Sequence, residues 1–155
     1  MKKQTLRAAI LAVVAGTSLS IMNVSAADTL IYTGSQFKLN GEVLNVDNPF
    51  AGEINHHSDD TGLNIFKVYN QDISDKTVII EGGQTHTVHS VYVSDGNATN
   101  TQLMVNGGDN NDELTGPHVG NAGNAENNSV VVETTGKART IAGADMYHAN
   151  DAINN

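Results

Sequence analysis

A fixed step of roughly 27 residues runs through the second half of this chain, and nothing else in the sequence restricts its fold as much. The block Gly96-Asn97-Ala98-Thr99-Asn100-Thr101-Gln102-Leu103-Met104-Val105 returns as Gly123-Asn124-Ala125-Glu126-Asn127-Asn128-Ser129-Val130-Val131-Val132. It returns again as Asn150-Asp151-Ala152-Ile153-Asn154-Asn155. Ala98, Ala125 and Ala152 share one column, and Asn100, Asn127 and Asn154 share another. The same step aligns Thr87, Leu114 and Ile141, then Tyr92, Val119 and Met146, and sets Gly116 against Gly143, with no gap. A self-similar period of this size marks a repeat architecture in which one unit cannot bury its apolar face alone. Each period here holds short β-runs between Gly/Asn turns. It is therefore read as one coil of strands that pairs with the next coil and buries a shared apolar column. Leu103 and Val130 should stack inside, as should Val105 and Val132. Asn100, Asn127 and Asn154 should stack at a turn, where side-chain amides can bond along the ladder. Asn also tolerates the left-handed backbone such corners require.

The preceding segment is less regular. Strand-like runs at 29–32, 36–39, 42–46, 63–69 and 77–80 are separated by turn signals. These are Asn40-Gly41, Asn48-Pro49, Ser58-Asp59-Asp60-Thr61-Gly62 and Glu81-Gly82-Gly83. Asn40-Gly41 between Phe37-Lys38-Leu39 and Glu42-Val43-Leu44 predicts a hairpin. No long stretch carries apolar residues at helical spacing free of Gly or Asn, so the class is all-β. The chain divides into a segment 1–26, a strand-rich capping segment 27–77 and a β-solenoid repeat segment 78–155. A cap is expected because a stack of coils needs its exposed end covered.

Segment 1–26 reads as a secretory signal. Lys2, Lys3 and Arg7 precede an apolar stretch at 8–15, and Val24 and Ala26 supply small residues at −3 and −1 of a cleavage point. Gly16, Thr17, Ser18 and Ser20 interrupt the run before it reaches the length of a membrane span. Export to the periplasm, cell surface or medium is expected. All 17 acidic residues follow this segment, but only Lys38, Lys67, Lys76, Lys137 and Arg139 among the basic ones do, so the mature net charge is −12 with His neutral. Such a surface repels phosphates, which argues against nucleic acid and anionic membranes as partners. With no Cys in the chain, stability has to come from packing and backbone pairing rather than from disulfides.

The blocks at 96–100 and 123–132 resemble the repeats of bacterial autotransporter passenger domains: Gly, a small polar step, Ala, Asn with Asn or Thr, then a Val-rich alternating run. The resemblance covers residues 78–155. It implies a right-handed parallel β-helix, a Gram-negative secretory route, and an adhesin or structural stalk at the cell surface. Its partners would be host or bacterial surface molecules, glycans among them. Autotransporters carry a C-terminal outer-membrane barrel, which this sequence lacks, and the repeat breaks off at Asn155 where the next strand should begin. The chain therefore reads as a fragment, and an open last coil is expected to self-associate.

Chemistry-bearing residues are sparse. Gly107-Gly108-Asp109-Asn110-Asn111-Asp112-Glu113-Leu114 resembles the nonapeptide of calcium-binding β-rolls, which nominates Asp109, Asp112 and Glu113 as calcium ligands in an alternative reading. One turn cannot supply the six to eight oxygens that Ca²⁺ takes, and no second copy follows. His56-His57 beside Asp59-Asp60 offers a weak metal site, and His86 and His89 should face opposite sides of a strand. These histidines, with His118 and His148, are expected to be exposed loop residues. There is no Cys nucleophile and no G-x-S-x-G elbow. The expectation is a non-enzymatic surface module without a resident cofactor.

Overall fold

The computed structural model describes residues 27–44, 65–110, 112–133 and 138–155. Outside these lie the segment 1–26, the turns at Asn48-Pro49 and 58–62, and His56 and His57. Every regular element among the described residues is a strand of two to five residues. No helix there is long and apolar enough to cross a membrane.

The chain winds through a repeating circuit of five short strands. One circuit runs through Tyr92–Ser94, Ala98–Thr99, Gln102–Val105, Asp109–Asn110 and Glu113–Thr115. Each of these pairs in parallel with its counterpart in the preceding circuit, namely Lys67–Tyr69, Ile73–Ser74, Lys76–Ile80, Gln84–Thr85 and Val88–His89. His118–Gly120, Ala125–Glu126, Ser129–Val132 and Thr140–Ala142 form the third circuit, and Asp145–Tyr147 and Ala152–Ile153 begin a fourth. The molecule is a β-solenoid of about three turns. Its first coil begins ahead of residue 78, because Lys67–Tyr69 and Ile73–Ser74 are already stations of the stack.

Inward columns fill the interior. Val78, Leu103 and Val130 stack in register, as do Ile80, Val105 and Val132. Leu30 and Tyr32 extend the same two columns in the opposite direction. Val68, Val93, Val119 and Met146 form a further column, and Val88, Leu114 and Ile141 another. Ile73, Ala98, Ala125 and Ala152 stack in register along the two-residue strands. Close packing there depends on glycine, since a Cβ on Gly123 would run into the carbonyl oxygen of Gly96.

A hairpin unit pairs with the longest strand of the first coil. Asp28–Tyr32 lies parallel to Lys76–Ile80, and Phe37–Leu39 and Glu42–Leu44 follow it antiparallel. Asn40 (φ 52°) and Gly41 (φ 87°) both take positive φ, as a type I′ turn between right-twisted strands requires. Tyr32 and Phe37 stack with ring centroids 4.6 Å apart. Asp28 accepts hydrogen bonds from Lys76 Nζ (3.3 Å) and Asn40 Nδ2 (2.6 Å), and the Lys76–Asp28 pair is buried beneath the cap.

The gapless repeat needs correction. Its constant step holds forward from Ala98, which faces Ala125. Before that the coils are shorter. Gln102 pairs with Thr77, the same step of 25 residues that separates Asn100 from Asp75. Leu114 pairs with Val88 rather than Thr87, and Val119 with Val93 rather than Tyr92. Side chains alternate along a strand, so a slip of one residue would turn the fully buried Val88 and Val93 outward. Extra residues are taken up at corners instead. Asn121 and Ala122 adopt consecutive left-handed conformations (φ 47° and 63°), between the strands that carry Gly120 opposite Ser94 and Ala125 opposite Ala98.

Left-handed residues also form two regular columns. The predicted one contains Asn100, Asn127 and Asn154 (φ 55°, 55° and 54°), and Asp75 (φ 56°) precedes them. Asn154 Nδ2 donates to Asn127 Oδ1 at 3.1 Å, and Asn100 Nδ2 donates to Asp75 Oδ1 at 3.2 Å. The second column, Asn70, Asp95, Asn121 and His148, turns the corner just before it, one two-residue strand earlier in the circuit.

A histidine–aspartate cluster as candidate functional site

Two histidines expected at the surface lie inside. His89 is 2 % exposed and His118 is 7 % exposed. Each owes its position to strand register. His89 ends the strand Val88–His89, with Thr115 directly beside it in the next coil, and its Nδ1 contacts Thr115 Oγ1. His118 opens the strand His118–Gly120, between Tyr92 of the coil before and Asp145 of the coil after.

The His118 column is polar or aromatic at each of its four levels. Lys67 Nζ lies over the Tyr92 ring, 4.9 Å from its centroid. The Tyr92 ring stacks on His118 at 4.7 Å with only 4° between planes. His118 Nδ1 then meets Asp145 Oδ2 at 2.5 Å. With the carboxylate ionised, the ring N–H is the donor and Asp145 the acceptor. His89 reaches the column from the adjacent corner position, its ring tilted against His118 at 5.3 Å.

Three ligand-type side chains from three successive levels of the stack therefore converge: His89 at the level of Tyr92, then His118, then Asp145. One ligand atom from each lies within 4.8 Å of the other two. Two imidazoles and a carboxylate are a donor set suited to a divalent transition metal. They are also a set able to hold and pass a proton.

A second buried polar path runs next to this cluster. Ser90 Oγ and Thr101 Oγ1 are 2.7 Å apart, and Thr101 N–H donates to Asn128 Oδ1 at 2.8 Å. Asn128 in turn donates to Asn155 Oδ1 from its backbone N–H (3.0 Å) and its side-chain amide (2.7 Å). Buried polar groups cost stability unless they are bonded, and here bonding to the next coil's counterpart meets that demand.

Asp109, Asp112 and Glu113 sit elsewhere. Asp109 is exposed on the strand Asp109–Asn110, and Glu113 opens the strand Glu113–Thr115. Asp112 receives His86 Nδ1 and Arg139 Nη2, each at 3.4 Å. Among the described residues, the three-residue convergence of ligand atoms falls at His89, His118 and Asp145, not at these three. His86 is exposed, as expected, and so is His148, which packs edge-on against Tyr147 at 4.3 Å.

One signal for the cluster is present in the sequence, since His118 and Asp145 are 27 residues apart, one full repeat. His89 and His118 are not separated by that step, so no constant spacing joins them. The gapless register also places His118 opposite Val91 and hides its neighbour Tyr92. No protein-family model, no curated protein and no solved structure matches this chain.

Proposed function

We propose that this chain is an exported, autotransporter-like passenger segment that acts by surface contact, as an adhesin or a stalk, and not by catalysis. The observation that supports this best is the coil itself. Parallel strands pair from level to level, and left-handed Asn and Asp residues turn two of its corners. Such a stack presents a long ladder of short side chains, which suits adhesion along an extended face. The two histidines of the cluster are buried, which denies a polymer direct access to their rings. The strongly acidic composition favours neutral glycans or cationic patches of surface proteins over phosphate-bearing ligands.

The test is expression of the full chain in a Gram-negative host, with fractionation and N-terminal sequencing, followed by adhesion of protein-coated beads to glycan- and matrix-coated surfaces. The expected outcome is a product that starts at Ala27 or Asp28, recovered outside the inner membrane, with saturable bead retention. An unprocessed cytosolic product would sink the export reading. Retention no better than that of uncoated beads, together with release of soluble sugars from a polysaccharide panel, would replace the adhesin with an enzyme.

A further inference from the structure

We propose that His89, His118 and Asp145 bind a divalent transition-metal ion of the zinc type, and that this ion clamps three successive levels of the solenoid together. The two imidazoles are buried, which removes the competition with water that weakens exposed histidine pairs. The carboxylate side chain is 38 % exposed, which leaves a route from solvent to the ligands. The ligand atoms lie within 4.8 Å of one another, against edges of about 3.3 Å in a tetrahedral shell with bonds near 2.0–2.1 Å. A small side-chain rotation closes that difference.

The ion replaces the hydrogen bond between His118 Nδ1 and Asp145 Oδ2, and the Nδ1 proton passes through solvent to Nε2 of the same ring, so the imidazole stays neutral as the metal arrives. Two neutral imidazoles and one carboxylate leave one positive charge on the complex, with water in the fourth position. Tyr92, stacked on the His118 ring, holds that ring's plane, and the Thr115 contact fixes the orientation of the His89 ring. Such outer partners set ligand orientation in metal sites. The ligand set is nitrogen-rich, so the site selects against calcium and magnesium, which prefer all-oxygen shells.

Three levels meet at one ion, so binding acts on folding as well as on affinity. A ligand bound only by the folded state raises stability in proportion to the logarithm of its concentration over Kd. The test is equilibrium dialysis of the full chain, stripped with chelator, against zinc, with calcium and magnesium in parallel. Thermal melts and the visible spectrum of the cobalt-loaded protein accompany it. The expected result is one zinc per chain, a higher Tm with zinc alone, and a tetrahedral cobalt spectrum. His118→Gln should abolish all three, and Asp145→Asn should weaken zinc binding by at least about tenfold. His86→Gln, at the exposed histidine beside Asp112, should leave binding unchanged. If His118→Gln fails to fold by circular dichroism, Asp145→Asn carries the decision, because its side chain is partly exposed and Asn still accepts from His118. No saturable zinc, binding lost in His86→Gln but kept in Asp145→Asn, or calcium bound in preference to zinc would each overturn the proposal.

Discussion

Lys76 occupies a position that its counterparts in later coils give to uncharged residues. Thr101, Asn128 and Asn155 follow it in the column and bond to one another from coil to coil. The first coil instead meets the hairpin cap, and Lys76 meets Asp28, with side chains only 3 % and 7 % exposed. Removing one partner of a buried pair costs more than the pair contributes, because the remaining charge stays desolvated. Asp28→Ala should therefore lower unfolding free energy by about 3 kcal/mol, measured by urea denaturation. A loss under about 0.5 kcal/mol would mean that the charge finds water. Asp75 behaves differently, being exposed. The Ser74 hydroxyl, then the Asn100 amide, then the charge of Lys76 hold its carboxyl below the ordinary range. A depressed folded pKa gives stability that is present above about pH 4 and lost as pH falls through the folded value. Asp75→Asn should accordingly lose less stability than the parent on acidification through that range. Equal losses in paired denaturation curves would remove Asp75 from the acid response.

At the scale of the strand, burial depends on which coil a residue belongs to. Leu103 is fully buried between neighbours on both sides, while Val130 stands in the same column on an edge strand. Leu103→Ala should cost about 2–4 kcal/mol, and Val130→Ala about 1 kcal/mol. Similar costs at both sites would show that the last coil is covered in solution. The strands also show how much of the fold is legible without coordinates. Runs of Val, Ile and Leu bounded by Gly and Asn mark the long-sheet strands and the Asn40-Gly41 hairpin, because period-two alternation and positive φ are local properties. The Leu103/Val130 and Val105/Val132 stacks follow from the repeat. The two-residue strand Ile73–Ser74 leaves no such trace, since two residues carry no periodicity. Neither does the shift from Thr87 to Val88, because a corner absorbs an extra residue without changing composition. The histidine cluster falls in the segment where that shift applies, so its burial is invisible to a constant step.

The two ends of the stack differ. At the first, the hairpin pairs with Lys76–Ile80, and Val68, Ile73 and Val88 are buried although their strands pair on one side only; at the other, Ser129–Val132, Thr140–Ala142, Asp145–Tyr147 and Ala152–Ile153 also each have a partner on one side only among the described residues. Ile141, Tyr147 and Ile153 are half exposed or nearly so on that last level. Unpaired strand edges with apolar side chains are templates for a further strand. The chain should thus associate through this level. Ile141→Lys combined with Ile153→Lys should shift sedimentation toward monomer, and an unchanged distribution would place any association elsewhere.

The changing coil length has a mechanical meaning. Steps of 25 residues between early coils, as from Asp75 to Asn100, and of 27 residues between late ones, as from Thr101 to Asn128, record how much chain each level stores. Drawn out at about 3.5 Å per residue, one level releases on the order of 90 Å of slack. If the chain is pulled from its ends, levels should peel away one after another from the uncovered edge. The force trace should be a sawtooth whose teeth shorten by about 7 Å as rupture nears the hairpin. The same inserted corner residues that blur the repeat would then be legible as lengths.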